Sequence, residues 1–428
     1  MIGRNMDTRA VLRSLFDVAV AAADPARSLP HFLPERPRGR TVVVGAGKAS
    51  AVMAQAFEAA WPYALTGVVV TRYGYAVPCE RIAVLEAAHP VPDEGGVAGS
   101  IALFDAVRGL GPDDLVVALV SGGGSALLPS PPPGLTLVDE QLLNRLLLES
   151  GLPIGEMNLI RKHLSTIKGG RLARAAFPAR VVTLVLSDIP GDIAAEVASG
   201  PTIPSAATRH DALALVERAR LPLPDKFLQR LHDPSSDAPR PSDPDFARHE
   251  VHVIGSAALS LEAAAAEAQR AYGLPSAILS DALEGEARDA GRFHAAIAHE
   301  VAARGRPFAS PILLLSGGET SVTVTGEAGQ GGRNTEFALA AAIGVEGGPG
   351  AITGLAADTD GIDGMSGGAG AFFDTTSVAR LRLAGFDPKT VLARHQSGSA
   401  FAAIGDLLVS GPTRTNVNDF RAIIIRPG

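Results

Sequence analysis

The chain has 428 residues, of which 46% are apolar and 47 are glycine, and this composition indicates an α/β protein of two large domains rather than a disordered or fibrous chain. Its formal net charge of -7 comes without any long cationic run, which excludes the basic surface typical of proteins that bind nucleic acid or anionic membranes. With one cysteine, Cys79, and no apolar stretch of roughly 18 residues, we expect neither an intramolecular disulfide nor a membrane span, and we place the protein in the cytoplasm.

The amino-terminal part of the chain alternates between apolar strands and helices. An amphipathic helix is expected at residues 7–23, and between residues 41 and 202 the helices are expected at 50–60, 99–107 and 137–149. The strands read TVVVGA, GVVVTR, RIAVLEA, DLVVALVS and VVTLVLSDI. Their nearly continuous β-branched runs are typical of a parallel sheet covered on both faces. The sequence therefore predicts a Rossmann-like α/β/α domain.

A proline-rich segment, DPSSDAPRPSDPD at residues 233–245, divides the chain. Its prolines oppose regular structure and predict a surface linker. After it, strand and helix patterns alternate again, from VHVIGS through PILLLSGGE to AIIIRP. We therefore expect the Rossmann-like domain at residues 1–240, a smaller carboxy-terminal α/β domain at residues 241–428, and an active-site cleft between them.

Glycine-rich turns follow three of the strands and are the main signal of a binding site. Backbone amides in such turns can bind an anion, and a lysine adds a full positive charge. The pattern predicts phosphate or carboxylate chemistry. The turn residues are Gly45, Gly47 and Lys48 in GAGKAS, Ser121, Gly122, Gly123, Gly124 and Ser125 in SGGGS, and Ser316, Gly317, Gly318, Glu319 and Thr320 in SGGET.

Polar residues in four other segments complete the candidate site. A helix expected at residues 157–173 carries polar side chains along one side, and SDIPGD supplies carboxylates that could accept a hydroxyl proton or bind Mg²⁺. GGRNTEF starts a helix with an arginine whose rigid fork suits an oxyanion, and DTDGIDG forms an acidic loop without EF-hand spacing. These residues are Asn158, Arg161, Lys162, Lys168, Asp188, Asp192, Arg333, Asn334, Asp358 and Asp360.

The ordered series of motifs resembles that of the class II glycerate kinases, a family also labelled hydroxypyruvate reductases and containing a MOFRL-type carboxy-terminal domain. The series comprises GAGKAS, AHPVPDEGG, SGGGSALL, MNLIRKHLSTIKGGRLA, LSDIPGDIAAEVASGPT, LLSGGETSVTVTGEAGQGGRNTEF, AADTDGIDG and LLVSGPTRTNVND. The resemblance implies ATP- and Mg²⁺-dependent phosphorylation of D-glycerate, usually to 2-phosphoglycerate. By motif, Lys48 and Arg333 correspond to the family's cleft cations.

For the catalytic groups we expect Lys48 and Arg333 as the cations and Asp188 as the proton acceptor, with Asp188 or Asp192 as a metal ligand. Two other functions stay open at this point. One is an NAD(P)H-dependent hydroxypyruvate reductase in which Arg72 meets a 2′-phosphate, although the GAGKAS turn lacks the full dinucleotide fingerprint. The other is a non-catalytic sensor of phosphorylated sugars or acids. A homodimer is open as well.

Overall fold

Strands and helices alternate along the chain as the sequence predicts. The computed structural model describes residues 7–324, 326 and 329–427. The strands are β1 (Thr41–Ala46), β2 (Thr66–Arg72), β3 (Ile82–Ala87), β4 (Leu115–Ser121), β5 (Arg180–Leu186), β6 (His249–Gly255), β7 (Ser276–Leu283), β8 (Ile312–Gly318), β9 (Ala351–Asp358), β10 (Gly370–Asp374), β11 (Leu407–Leu408) and β12 (Asp419–Arg426).

The helices range from single turns to five turns. They are α1 (Thr8–Ala22), α2 (Pro25–Ser28), α3 (Ser50–Ala60), α4 (Glu94–Val107), α5 (Gly124–Leu127), α6 (Leu137–Glu149), α7 (Ile154–His163), α8 (Arg171–Ala176), α9 (Arg209–Arg218), α10 (Asp225–His232), α11 (Ala257–Tyr272), α12 (Ala287–Arg304), α13 (Arg333–Val345), α14 (Ser377–Leu383), α15 (Pro388–Ala393) and α16 (Ser397–Ala403). Within the described residues, no helix combines the length and apolar character that crossing a membrane requires.

The chain folds into two compact units. The Rossmann-like unit is Pro25–Ile254, and the mixed-sheet unit comprises the chain up to Asp24 together with the chain from Gly255 onward. This division differs from the boundary expected after residue 240, because β6 joins the first sheet and α1 packs on the second. Local patterns predict that a strand or helix forms, but they do not specify which sheet it joins.

The sheet of the Rossmann-like unit has the strand order β3-β2-β1-β4-β5-β6. From β3 to β5 every neighbouring pair is parallel, and β1 and β4 are buried along their whole length. This is the order of a doubly wound dinucleotide-binding fold, in which the chain reverses its direction of travel between β1 and β4. The predicted fold class is confirmed, and the reversal point marks where such a sheet binds ligands.

The mixed-sheet unit has the order β11-β10-β9-β12-β8-β7. Only β7 and β8 form a parallel pair among its described ladders, and β12 runs antiparallel to both neighbours, β8 and β9. Asp419 at the start of β12 therefore pairs in register with Gly318 and with Asp358. The ends of β8 and β9 and the start of β12 thus meet at one edge.

Two predicted segments differ in the structure. The helix expected at residues 157–173 is divided into α7, which ends at His163, and α8, which begins at Arg171; Gly169 and Gly170 just before α8 adopt φ angles of 64° and 85° that a continuous helix does not allow. The proline-rich segment lies inside the Rossmann-like unit, where Ser236 is buried and Arg174 pairs with Asp243 and Asp245. The segment is therefore a packed part of this unit and not a surface linker, and two of its prolines begin short 3₁₀ turns, Pro234–Ser236 and Pro244–Phe246.

Candidate active site

Five adjacent parallel strands each deliver a residue to the same edge of the Rossmann-like sheet. In sheet order, His89 follows β3, Arg72 ends β2, Lys48 follows β1, Gly122 follows β4 and Asp188 follows β5. Carboxyl ends of parallel strands form the rim at which open α/β sheets bind their ligands. The edge therefore gathers three nitrogen groups, one carboxylate and a glycine-rich turn around the reversal point.

The GAGKAS turn is held against the SGGGS turn by hydrogen bonds from its own amides. The N–H of Lys48 donates to the carbonyl of Gly122 at 2.8 Å, and the N–H of Ala49 donates to the Ser121 hydroxyl at 3.0 Å. The N–H of Gly47 donates to a carbonyl on β2 at 3.1 Å. The backbone amides that we expected to bind a phosphate thus donate their hydrogen bonds to other groups of the protein.

The glycines of GAGKAS are explained by close packing. Gly47 has φ 140°, and a Cβ there would lie 2.1 Å from the hydroxyl oxygen of Ser121. A Cβ on Gly45, inside β1, would lie 2.3 Å from the carbonyl oxygen of Leu119. At both positions a side chain would collide with β4, so close packing of the strands explains these glycines without a bound ligand.

Three side chains converge on two consecutive glycines of the SGGGS turn. A Cβ on Gly122 would lie 1.6 Å from Oδ2 of Asp188, and a Cβ on Gly123, where φ is 80°, would lie 3.0 Å from Nε2 of His89 and 3.1 Å from Cγ of Lys48. Since consecutive Cα atoms are about 3.8 Å apart, these groups surround one small space. The glycines keep it open.

Gly122→Ala is therefore expected to displace the Asp188 carboxylate and to lower catalytic turnover at least about tenfold with little change in Tm. The matched control is Gly155→Ala, because Gly155 lies in α7 with nothing within 4 Å of its added Cβ. The control should be neutral or slightly stabilising, since alanine has the higher helix propensity. Steady-state kinetics and thermal unfolding measure both effects, and equal turnover in the two variants would contradict the expectation.

The electrostatics of this edge favour a bound anion. Burial, together with the positive charges of Lys48 and Arg72, lowers the pKa of His89 to about 4, so its imidazole is neutral near pH 7. In the described part of the chain, the Lys48 ammonium has no carboxylate within ion-pair distance. The sequence analysis did not select His89, although its position just past a parallel strand is the same signal that selected Asp188.

The lysines predicted to line the site on one helix face are paired inside the protein. Lys162 lies 2.6 Å from Oε1 of Glu196. Lys168 lies beyond the end of α7, is 2% exposed, and contacts Oε1 of Glu140 at 2.6 Å and the carbonyl of Leu128 at 3.0 Å. Each positive charge is thus offset by a glutamate, which explains how the chain tolerates them together.

Arg161 and Asn158 belong to a hydrogen-bond network that reaches the SGGGS turn. Oδ1 of Asn158 accepts from Arg161 at 3.0 Å and from the hydroxyl of Ser199 at 2.9 Å. Ser199 lies 2.7 Å from the hydroxyl of Ser125, and a Cβ on Gly124 would lie 2.5 Å from that of Ala198. The network positions the turn and leaves Asn158 buried.

No group of three or more His, Cys, Asp or Glu side chains is placed to hold a metal ion among the described residues. Asp188 lies over Gly122, and Asp192 is half-buried in the short turn Pro190–Asp192. A magnesium ion that arrives with a nucleotide needs only one or two protein carboxylates, because phosphates and water fill its other positions. The carboxylates of this edge fit that kind of ion and not a dedicated metal cage.

In the mixed-sheet unit, Arg333 contacts three carboxylates of its own chain. Its Nε lies 2.7 Å from Asp419, one terminal nitrogen lies 2.7 Å from Asp358, and the other lies 2.9 Å from Glu319. Burial disfavours the charge of Arg333, but these carboxylates outweigh burial and raise its pKa. The fork expected to bind a ligand is engaged by buried Asp419 and Asp358 and by Glu319, whose side chain is 52% exposed.

Asp419 is the centre of this cluster and was not selected from the sequence. It is fully buried and accepts hydrogen bonds from Asn334 Nδ2 at 2.7 Å, from the amide of Thr320 at 3.1 Å and from Arg421. Burial opposes its ionisation, yet the charges of Arg421 and Arg333 outweigh it and lower the pKa of Asp419. The amide of the SGGET turn thus binds a carboxylate of the chain itself.

Asp363 occupies the amino-terminal end of α13. Its oxygens accept from the amide of Asn334 at 2.8 Å and from the amide of Thr335 at 2.9 Å. The positive end of α13, where Arg333 and Asn334 lie, is therefore capped by the chain's own carboxylate. Asp360 lies in the loop just before Asp363, and its Oδ1 accepts a hydrogen bond from the amide of Ile362 in that loop at 2.8 Å.

The remaining residues of the SGGET turn are fixed by packing. The hydroxyl of Ser316 lies 2.9 Å from Nε2 of buried His294. Gly318 has φ 118°, and a Cβ there would lie 2.1 Å from the amide nitrogen of Leu283. A Cβ on Gly317 would lie 3.2 Å from the carbonyl of Asp419. The turn is tightly packed on its own sheet.

Comparison with known proteins matches both halves of the chain. Residues 11–232 match the family described as a domain of unknown function, DUF4147, and residues 312–419 match the MOFRL family. A Pyrococcus horikoshii protein named glycerate 2-kinase is 38% identical over 437 residues, covering 98% of each chain. The chain belongs to the DUF4147–MOFRL family of glycerate kinases. This confirms the resemblance drawn from the motif series.

Other members of the family differ in the names they carry. The crystal structure of a Thermotoga maritima glycerate kinase superposes with a TM-score of 0.87 at 38% identity, covering 97% of this chain and 99% of that chain. An Agrobacterium vitis protein, 52% identical over 427 residues and covering 99% of this chain and 96% of its own length, is provisionally named hydroxypyruvate reductase. The names of these relatives thus include both enzyme activities considered in the sequence analysis, glycerate kinase and hydroxypyruvate reductase.

Proposed function

We propose that this protein is a kinase that transfers the terminal phosphoryl group of ATP to D-glycerate and yields 2-phosphoglycerate. The observation that carries the proposal is the rim of five parallel strands, where Lys48 has no carboxylate partner within the described chain and His89 is neutral. Phosphoryl transfer depends on positioning and on cations aimed at phosphate oxygens. The full-length match to relatives named glycerate kinase supports this choice of reaction.

In this proposal, Lys48 contacts an oxygen of the transferred phosphoryl group. The Lys48 ammonium can form a charge-assisted hydrogen bond to this oxygen without first breaking an internal ion pair, because the described chain provides no carboxylate partner for it. Asp188, fixed over Gly122 two residues past β5, is the carboxylate placed to accept the proton of the glycerate hydroxyl. Both roles use the same small space around Gly122 and Gly123.

We propose that Arg333 contributes a second cation through its exposed edge. Asp419 and Asp358 are buried and hold two of its nitrogens, which fixes the plane of the guanidinium. Glu319 holds the third nitrogen and is half exposed, so a ligand oxygen can replace it at small cost. Two buried carboxylates thus orient the arginine in advance, and its third contact, to Glu319, can be exchanged for a contact to a ligand.

The proposal includes Mg²⁺ bound with ATP. Kinase activity implies a nucleotide, and a magnesium ion that arrives with it would supply positive charge against the charge that develops during transfer. The phosphates and water would provide most ligands of such an ion, and with Asp188 assigned to the proton, Asp192, four residues further along the chain, is the protein carboxylate that would complete them.

The reductase alternative is less well supported by the local structure. Dinucleotide-binding folds direct amides of the first glycine turn at the pyrophosphate. Here the corresponding amides of Gly47, Lys48 and Ala49 donate to carbonyl and hydroxyl groups of the protein. A kinase that holds phosphates mainly through side-chain cations agrees better with this arrangement.

The test is one pair of assays on the purified protein. With Mg-ATP and D-glycerate, we expect ADP to form in equal amount to a phosphoglycerate, and phosphorus NMR of the product should show phosphate on the 2-hydroxyl. With hydroxypyruvate and NADH or NADPH, we expect no loss of nicotinamide absorbance. Absence of ADP from folded protein, together with nicotinamide oxidation, would reject the kinase in favour of the reductase.

A further inference from the structure

Two nitrogen groups at the rim have no task in the phosphoryl transfer as proposed above. His89 follows β3 and Arg72 ends β2, the two strands next to β1 in the sheet. Arg72 pairs in register with Ala87, two residues before His89. In the sheet order both groups therefore come from the strands on the side of β1 opposite β4 and β5, and the ring of His89 reaches across to Gly123.

The ring of His89 lies over Gly123 and has no hydrogen-bond partner among the described residues. A Cβ on Gly123 would lie 3.0 Å from its Nε2, and within the described chain neither ring nitrogen is hydrogen bonded. The buried imidazoles of this protein are otherwise partnered: His163 contacts a carbonyl at 3.1 Å, and His294 contacts a carbonyl at 2.8 Å and a hydroxyl at 2.9 Å. A half-buried imidazole whose polar edge has no partner is suited to an incoming ligand.

Arg72 is oriented by an aromatic ring rather than by an acid. Its guanidinium carbon lies 4.5 Å from the centroid of the Tyr75 ring, and the described chain provides it with no carboxylate partner. Stacking uses the face of the guanidinium and leaves its N–H edge available. Such an edge can make two parallel hydrogen bonds to a carboxylate or phosphate.

We propose that His89 and Arg72, together with Lys48, form an oxyanion-binding site that holds a carboxylate or phosphate group of a reactant. The proposal rests on the kinase function above and deepens it. Arg72 provides a forked contact, Lys48 provides a point charge, and the imidazole donates one hydrogen bond from the Gly123 side. Three groups on three neighbouring strands fix the position of the anion more closely than Lys48 alone.

The two sources of the oxyanion are the carboxylate of glycerate and the phosphates of the nucleotide. Separate titrations with D-glycerate, inorganic phosphate and Mg-ADP, followed by calorimetry, distinguish them. We expect His89→Ala and Arg72→Gln each to weaken the same probe at least about tenfold, as expected for losing a charged hydrogen bond. Loss of glycerate binding assigns the carboxylate, and loss of phosphate and Mg-ADP binding assigns the nucleotide.

His232→Ala and Arg145→Gln are matched controls, because both residues are exposed on helices α10 and α6. They should bind every probe as the unaltered protein does. The ring signal of His89 in NMR gives a second readout and should shift with the probe that the variants lose. An unshifted signal with all three probes, or variants that bind all three normally with an unchanged Tm, would overturn the inference.

The outcomes also separate this inference from the proposed function. A protein that phosphorylates glycerate while both variants bind normally refutes only the role of His89 and Arg72. A protein without kinase activity whose variants lose probe binding refutes only the reaction. The conservative variant Arg72→Lys should keep charge but lose the fork, and it should therefore recover less than half of the lost binding free energy.

Discussion

Lys48→Ala is expected to lower kcat/KM for glycerate phosphorylation at least about a hundredfold while the thermal midpoint stays within error of the unaltered protein. The loss follows from removing a charge-assisted contact to the transferred group. Stability should not change, because the ammonium has no carboxylate partner in the described chain and its stem only lies beside Gly123. Coupled detection of ADP measures the rate, and differential scanning calorimetry measures the midpoint.

The control for this prediction is Lys389→Ala, since Lys389 is exposed near the start of α15. It removes the same charge from the protein's surface and should leave kinetics unchanged. Turnover in Lys48→Ala within a few-fold of the control would remove Lys48 from the mechanism. A large fall in the midpoint would instead show a structural role that the geometry does not suggest.

Asp419→Asn is expected to lower the free energy of unfolding of the mixed-sheet unit by about 3–5 kcal/mol, because removing one partner of a buried charge cluster leaves the others uncompensated. Arg421 is fully buried beside Asp419, and Arg333 contacts it at 2.7 Å. Asparagine keeps the shape but removes the charge that both guanidinium groups share. Urea unfolding followed by circular dichroism measures the change.

Glu319→Gln is the matched control because Glu319 is the third carboxylate of the same arginine but is half exposed. Screening by water limits the expected loss to less than about 1 kcal/mol. A loss in Asp419→Asn as small as that in the control would contradict the assignment of Asp419 as the centre of the cluster. Equal and large losses in both variants would contradict the distinction between buried and exposed partners.

Much of the fold could be predicted from the sequence, because buried parallel strands carry continuous apolar runs. The segments that became β1, β4 and β5 were all expected as strands, and α3 and α6 have the predicted bounds. Which sheet receives β6 or α1 was not readable, because that choice depends on packing between segments far apart in the chain. The same holds for the proline-rich segment, which packs on the Rossmann-like unit through buried Ser236 and Ala238 and pairs with Arg174.

The candidate site was readable to a similar extent. Strand-end position correctly brought Lys48 and Asp188 to one turn. It did not show which charges are already paired, because the partners of Lys168 and Arg333 lie 14 to 86 residues away. His89 was missed for a different reason: a single histidine in a loop has no periodic pattern, and only the sheet order makes it a neighbour of Lys48.

The placement of β12 has a consequence for how the protein is made. This strand, formed by residues 419–426, lies between β8 and β9 rather than at a margin. On the ribosome, the sheet of the mixed-sheet unit therefore cannot be completed until β12 emerges, whereas Pro25–Ile254 is synthesised earlier and can fold as a unit. Helix α1 precedes the Rossmann-like unit in the chain but packs on a sheet that is completed after that unit, so translation products that stop before β12 would contain a folded Rossmann-like unit and an α1 whose apolar side is exposed.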